Sequence, residues 1–184
     1  MRINLTFDRA ISSHEIKAAA RREAAAIWTT YGVDLLFTGS DVPPALTLDV
    51  IVARDAVGPD DTPPVLGHTS IAPESAPQAP IRISFDAIDA LLERRHGGNP
   101  LMHDYALAMA LGRVLAHEIG HILLGAPAYH DADGLMRTTF QADDLARPER
   151  SRFLLAEHSV TRLRSRLASL AQTRAAEGCE RVGK

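Results

Sequence analysis

In the first half of the chain, the pattern of apolar and polar positions predicts several strands and one helix. Residues 2–7 alternate in a strand-like pattern. Residues 13–31 are rich in alanine and charged side chains and end before Gly32, which predicts a helix. Four further apolar or β-branched runs predict strands at Val33–Phe37, Leu46–Ala53, Val65–Ile71 and Ile81–Phe85. We therefore expect a sheet of about five strands, with residues 46–53 central because they are nearly all apolar.

Helical periodicity dominates the second half of the chain. Residues 86–95 predict a short helix, and residues 100–124 predict a long one that ends before Gly125. Residues 126–147 show no clear period, and a last helix is expected over about 149–172.

The pattern contains no internal repeat and no linker, so one domain is expected over residues 1–184. Its parts are a sheet-containing region at 1–95, the long helix at 96–125 and a C-terminal region at 126–184.

Composition and charge limit the classes of binding partner and metal site that this chain can have. The 184 residues are 46% apolar and 23% charged, and the net charge of -3 gives no reason to expect nucleic acid or an anionic membrane as partner. The single cysteine, Cys179, excludes a disulfide framework and a cysteine-rich zinc site. No membrane-length apolar stretch and no signal peptide are expected, so the chain is interpreted as soluble: cytoplasmic if complete, secreted if a leader was removed. Nothing in the pattern sets an oligomeric state.

One motif carries the chemistry. His117-Glu118-Ile119-Gly120-His121 spells H-E-x-x-H inside the predicted long helix. Residues four apart lie on one helix face, so both imidazoles can reach one metal ion, with Glu118 about a quarter-turn away. Two neutral nitrogen ligands and a carboxylate beside an open, water-binding position are typical of a catalytic zinc site.

A catalytic zinc ion usually takes three protein ligands and one water, so a third ligand is expected. His130 is the favoured candidate, because the chain must turn back after the helix ends at Gly125. Asp131 and Asp133 remain alternatives, as do the more distant Glu149 and Glu157. The other histidines are interpreted as surface or hydrogen-bonding residues: His14, His68, His96, His103 and His158.

The stretch from His117 to Gly125, followed by His130, resembles a metzincin signature, and Gly134-Leu135-Met136-Arg137 resembles the methionine turn of that group. The chain also resembles uncharacterised bacterial H-E-x-x-H proteins with a Gly-x-Met turn. The resemblance implies an α+β, zincin-like fold: a mixed twisted sheet with an antiparallel edge strand, a long active-site helix and a C-terminal helix. It also implies that Met136 forms an apolar floor under the three imidazoles.

The motif departs from the usual H-E-x-x-H-x-x-G-x-x-H spacing. Gly125 comes one residue late and His130 three residues late. No tyrosine follows Met136 closely, and Tyr129 is interpreted as a packing residue rather than a substitute for such a tyrosine.

The resulting hypothesis is a zinc-dependent endopeptidase with one catalytic Zn²⁺ and a metal-bound water activated by Glu118. A peptide substrate would pair with the edge strand at 65–71, which two prolines flank. The alternatives are a gluzincin-like peptidase with Glu149 or Glu157 as third ligand, and a non-catalytic zinc-binding interaction domain. A three-histidine site also accepts other divalent metals.

Overall fold

Four strands in the described part of the chain form one mixed sheet. A computed structural model describes residues 1–37, 46–54, 65–70, 80–96, 100–125 and 129–182. The strands are β1 (Arg2–Phe7), β2 (Thr47–Ala53), β3 (Gly67–His68) and β4 (Ile81–Ser84). Their order in the sheet is β1-β2-β4-β3, with β1, β2 and β4 parallel and β3 antiparallel at the edge. The mixed sheet with an antiparallel edge and the central position of β2 are confirmed.

Among the described residues, five α-helices accompany the sheet: α1 (His14–Thr29), α2 (Phe85–His96), α3 (Pro100–Leu124), α4 (Ala142–Ala146) and α5 (Glu157–Val182). The hydroxyl of Ser13 accepts a hydrogen bond from the Ile16 backbone N–H and so caps α1, as its sequence position favours. Gly125 follows α3 with φ of +67°, the left-handed conformation that ends a helix. The long helix therefore has the predicted bounds.

The expectation of a fifth strand at Val33–Phe37 is wrong. The segment forms only an isolated bridge at Leu36, whose carbonyl accepts from the Ile3 N–H and whose N–H donates to the Met1 carbonyl, at 2.8 and 2.9 Å. Val33 and Leu35 are buried in the core, so the apolar alternation reflects packing of an extended segment rather than a ladder. The described residues thus contain four strands, and the edge strand expected at 65–71 is only Gly67–His68 within the described part.

The last helix also differs from its prediction over 149–172. A 3₁₀ turn at Arg150–Phe153 comes first, and α5 begins only at Glu157. The backbone between them is extended because it bonds to other segments: the Leu154 carbonyl accepts from Leu135, and the Leu155 N–H donates to the Tyr31 hydroxyl. The short helix α4 lies in a region expected to be irregular.

Helix α3 runs through the interior of the protein. Every residue from Ala106 to Leu124 except Ile122 is buried. Contrary to the expectation from sequence, α3 is long and apolar enough to cross a membrane, but 94% of its most apolar window is buried inside the protein. It approaches α1 so closely that a Cβ at Gly112 would lie 2.6 Å from the Ala20 carbonyl oxygen. This packing fixes the helix that carries the H-E-x-x-H motif.

A buried ion pair ties α3 to its neighbours. The guanidinium of Arg113 lies 3.0 Å from the Glu23 carboxylate of α1, and both side chains are almost completely buried. The same guanidinium donates to the carbonyls of Asp144 and Leu145, at 2.9 and 3.0 Å. Arg113 lies one turn before His117, so these bonds fix residues 144–145 relative to the motif.

Candidate metal centre

Two imidazoles from α3 face each other. The Nε2 atoms of His117 and His121 are 3.0 Å apart, and both side chains are buried. The Nδ1 atom of His117 lies 2.7 Å from the Leu135 carbonyl oxygen. Because a carbonyl only accepts, Nδ1 carries the proton and Nε2 keeps its lone pair. His117 is therefore held in the form that binds a metal through Nε2.

The third imidazole comes from the segment after α3. The ring centre of His130 lies 5.6 Å from that of His117 and 5.0 Å from that of His121. Each ring contributes one nitrogen, and these three nitrogens all lie within 4.8 Å of one another. Zinc–nitrogen bonds of about 2.0–2.1 Å in tetrahedral geometry put ligand nitrogens roughly 3.3 Å apart. The three rings can bind one such ion if their nitrogens move slightly closer together.

Burial keeps His117 neutral. The pKa of His117 is lowered to about 4, mainly by burial; the hydrogen bond to the Leu135 carbonyl opposes this decrease, and the neighbouring His121 and His130 add to it. A neutral imidazole is the metal-binding form. Burial thus keeps the His117 imidazole in its neutral form at neutral pH.

Glu118 lies beside the imidazoles under the edge strand. Its Oε2 atom accepts a hydrogen bond of 2.5 Å from the hydroxyl of Thr69, and both side chains are buried. Its carboxylate also packs against Gly67, where a Cβ would lie 2.5 Å from Oε1. Burial raises the pKa of Glu118 to about 7, and the bond from Thr69 opposes this increase. A carboxyl group with such a pKa exchanges protons near neutral pH.

Met136 packs against α3. Its side chain is completely buried, and its sulfur contacts the α3 backbone at Gly120. The turn before it has φ of +80° at Gly134, which packs against the carbonyl of Leu154. A hydrogen bond of 2.8 Å from the Asp131 N–H to the Met136 carbonyl closes this turn.

A cavity of about 680 Å³ opens over the three histidines and Glu118. One wall is the edge-strand segment 65–69, and the other is the segment 138–141. The ring of Phe140 meets that of His117 edge to face, with 5.3 Å between centres. Glu118 is the only acidic residue among the described lining residues, which include no lysine or arginine.

The alternative ligands lie elsewhere. Asp131 is buried, and its carboxylate accepts from Ser159 and contacts His158, both at 2.7 Å. Asp133, Glu149 and Glu157 are exposed, and none of them joins the histidine group. In the described part of the chain, His130 therefore completes the group.

The remaining histidines whose side chains the structure describes lie outside the group. His103 is bonded to Asp89, and His14 is exposed. His68 borders the cavity and bonds to Ser70, while the side chain of His96 lies outside the described residues.

Sequence reasoning did not identify Thr69. The sequence does place Thr69 on the same face of the predicted edge strand as Gly67. The partner could not be predicted, because Thr69 and Glu118 are 49 residues apart in the chain. Tyr129 was interpreted as a packing residue; its ring lies under the guanidinium of Arg162.

Comparison with known proteins gives a likeness in structure but not in sequence. No family model matches the chain, and no curated protein matches it. The crystal structure of an archaemetzincin from Methanopyrus kandleri is similar, with a TM-score of 0.58 and 11% identity over 91% of this chain and 96% of that one. A zinc-dependent peptidase from Methanocorpusculum labreanum has a TM-score of 0.59 and 14% identity over 88% and 99% of the two chains.

An archaemetzincin from Archaeoglobus fulgidus in complex with malonate has a TM-score of 0.50 and 13% identity, again over 88% and 99%. The fold of this chain is similar to that of these three proteins. At these identities the likeness establishes the fold, and the activity has to be argued from the site.

Proposed function

We propose that residues 1–184 form one catalytic domain, a zinc-dependent endopeptidase in which His117, His121 and His130 bind a single zinc ion. The observation that carries the proposal is the convergence of the three imidazoles within 4.8 Å, in a cavity that also contains the buried Glu118. Three proteins of the same fold are described as archaemetzincins or as a zinc-dependent peptidase, which supports the same activity.

The chemistry divides between the ion and Glu118. Bound zinc would polarise the peptide carbonyl and lower the pKa of the attacking water. Glu118 takes a proton from that water as its oxygen bonds to the carbonyl carbon. Glu118 then passes the proton to the leaving nitrogen as the C–N bond breaks. Burial raises the pKa of Glu118 above the ordinary value of a carboxyl group, which makes it a stronger proton acceptor.

We propose that the substrate binds as an extended strand along the edge segment 65–71. The Leu66 carbonyl accepts from the Ser84 N–H and therefore faces β4. Backbone groups alternate in direction along a strand, so the N–H and carbonyl of Gly67 face away from β4. An added peptide strand would pair there, close to Glu118.

An internal peptide bond suits this cavity better than a chain end. An enzyme that selects a terminal carboxylate or amine usually provides an opposite charge for it. The described lining residues include no lysine or arginine, and their one carboxylate is Glu118. Uncharged main chain and uncharged side chains are therefore the expected substrate features.

Met136 is proposed as the apolar floor of the site. Its buried sulfur contacts Gly120 between the two α3 histidines, and the carbonyl of the preceding Leu135 orients His117. The turn would thus fix the α3 ligands from below while the segment that leads into it supplies His130.

The two alternatives receive less support. A gluzincin-like ligand set requires Glu149 or Glu157, and both are exposed and outside the histidine group. A purely structural zinc site usually has four protein ligands, whereas the group among the described residues has three. Such a site also has no use for a buried carboxylate like that of Glu118.

A comparison of Glu118→Gln with the wild type tests the assignment of the base. Both proteins are loaded with zinc and assayed on a library of quenched, internally cleavable peptides. We expect the variant to keep its zinc and to lose about 10²-fold or more in kcat, because it lacks the proton acceptor. Equal cleavage by both proteins would remove Glu118 from the mechanism.

A further inference from the structure

Helix α5 holds the segment that carries His130. The hydroxyl of Ser159, which is completely buried, donates to Oδ2 of Asp131 at 2.7 Å. The Ser159 hydroxyl oxygen also lies 3.0 Å from the hydroxyl of Tyr129. Tyr129 and Asp131 are the two residues next to His130, so one side chain of α5 bonds to both neighbours of the third imidazole.

The direction of these bonds follows from the number of hydrogens. A serine hydroxyl has one hydrogen, and here it goes to the Asp131 carboxylate. Tyr129 must therefore donate to the Ser159 oxygen, giving a chain from Tyr129 through Ser159 to Asp131. Hydrogen bonds in such a chain polarise and strengthen one another. Asp131 Oδ1 is held in addition by His158, at 2.7 Å.

The same face of α5 also holds the end of α3. Arg162 donates to the carbonyl of Leu124, the last residue of α3, at 2.6 Å. The guanidinium of Arg166 packs against Gly125. Ser159, Arg162 and Arg166 follow one another at helical spacing on one face. The chain between His121 and His130 is thus attached to α5 at both of its described ends.

We propose that Ser159 is a positioning residue for the third metal ligand, His130. This inference rests on the proposed three-histidine zinc site. His130 is exposed and extends from a segment outside the regular elements, so its own packing holds it weakly. Bonds to both of its neighbours fix the local backbone and therefore the place of the imidazole. Groups that orient metal ligands in this way typically change metal affinity 10–100-fold when removed.

The test measures zinc affinity of the full chain by competition with a chromophoric chelator. We expect Ser159→Ala to bind zinc about 10-fold more weakly than wild type. Ser165→Ala is the matched control: its hydroxyl, on the same helix, bonds only within α5, to the carbonyl of Thr161. This variant keeps wild-type affinity, and equal affinities for wild type and Ser159→Ala overturn the proposal.

A second pair of variants separates positioning from general damage. If Ser159 acts through His130, Ser159→Ala has no further effect on the residual affinity of His130→Ala. A further decrease in that background indicates a structural effect on the whole site and overturns the proposal. Should Ser159→Ala fail to fold, Tyr129→Phe and Asp131→Ala each remove one link of the same chain and are tested in both backgrounds.

The proposed function fails in a distinguishable way. Wild type that binds no zinc, or His130→Ala that binds it as tightly as wild type, overturns the ligand set and this proposal with it. Weaker binding by His130→Ala together with unchanged binding by Ser159→Ala overturns the role of Ser159 alone.

Discussion

The hydroxyl of Thr69 lies 2.5 Å from Oε2 of Glu118 and also 3.3 Å from the Glu118 carbonyl oxygen. A side chain directly after the edge strand β3 thus fixes the acidic residue of the H-E-x-x-H motif. The strand proposed to bind substrate and the residue proposed to transfer the proton are therefore directly connected.

Replacement of Thr69 by valine removes this bond while keeping the shape of the side chain. We expect kcat to decrease about tenfold, since a hydrogen bond to a charged group contributes roughly 1.5–3 kcal/mol. The bond from Thr69 lowers the pKa of Glu118, so its loss raises that pKa and moves the acidic limb of the pH–rate profile to higher pH. Steady-state kinetics across pH measure both effects.

Thr69→Ser is the matched control, because serine keeps the hydroxyl and loses only a methyl group. It should retain most of the wild-type kcat and the wild-type pH profile. Zinc content should be equal in all three proteins. If Thr69→Val has the kcat and profile of the wild type, the bond has no role in proton transfer.

The stability of the zinc-free protein should depend on pH through two opposing groups. His117 has its pKa lowered from 6.5 to about 4, so the unfolded chain binds the extra proton and stability decreases as pH falls through this window. Glu118 has its pKa raised from 4.5 to about 7, so the folded chain binds the extra proton and stability decreases as pH rises through that window. Between pH 4.5 and 6.5 the two groups therefore change the free energy of unfolding in opposite directions as the pH rises.

The substitution Glu118→Gln removes the contribution of Glu118 to the pH dependence of stability. Relative to wild type, the free energy of unfolding of this variant should increase by about 1.4 kcal/mol for each pH unit between 4.5 and 6.5. Urea denaturation of the zinc-free proteins at several pH values measures the difference. Glu93→Gln, which changes an exposed carboxylate on α2, provides the control and should follow wild type. A difference between Glu118→Gln and wild type that does not change with pH would contradict the account.

The contact between Met136 and Gly120 predicts a non-additive pair of substitutions. A Cβ at residue 120 would be too close to the Met136 sulfur, which is buried and has little room to move. Gly120→Ala should therefore destabilise the protein by about 1–2 kcal/mol, despite the better helix propensity of alanine. In a Met136→Ala background the same change should be neutral or stabilising by up to about 1 kcal/mol.

Chemical denaturation of the two single variants and the double variant completes this cycle. Equal effects of Gly120→Ala in both backgrounds would show that the sulfur does not limit the space at residue 120. Met136→Ala alone is expected to cost about 2–5 kcal/mol because it leaves a cavity in the core.

Much of the site was predictable because its signals are local. Helical periodicity and the stop at Gly125 define α3, and the i, i+4 spacing places His117 and His121 on one face. His130 was predicted as third ligand because the chain must reverse after that stop, and the structure brings it to the other two histidines.

The rest depends on contacts between distant segments. Thr69 reaches Glu118 across 49 residues, and Ser159 reaches Asp131 across 28. No periodicity encodes such pairs. The wrong strand at Val33–Phe37 has a related origin, since burial of side chains in a core gives the same alternation as a strand.

The most direct test of the account is the zinc content of purified wild type, His130→Ala and Glu118→Ala by elemental analysis. His14→Ala, which removes an exposed histidine outside the group, is the control. We predict about one zinc per chain for wild type, Glu118→Ala and His14→Ala, and a large loss in His130→Ala. Retention of one zinc by His130→Ala would contradict the three-histidine site on which the proposed peptidase rests.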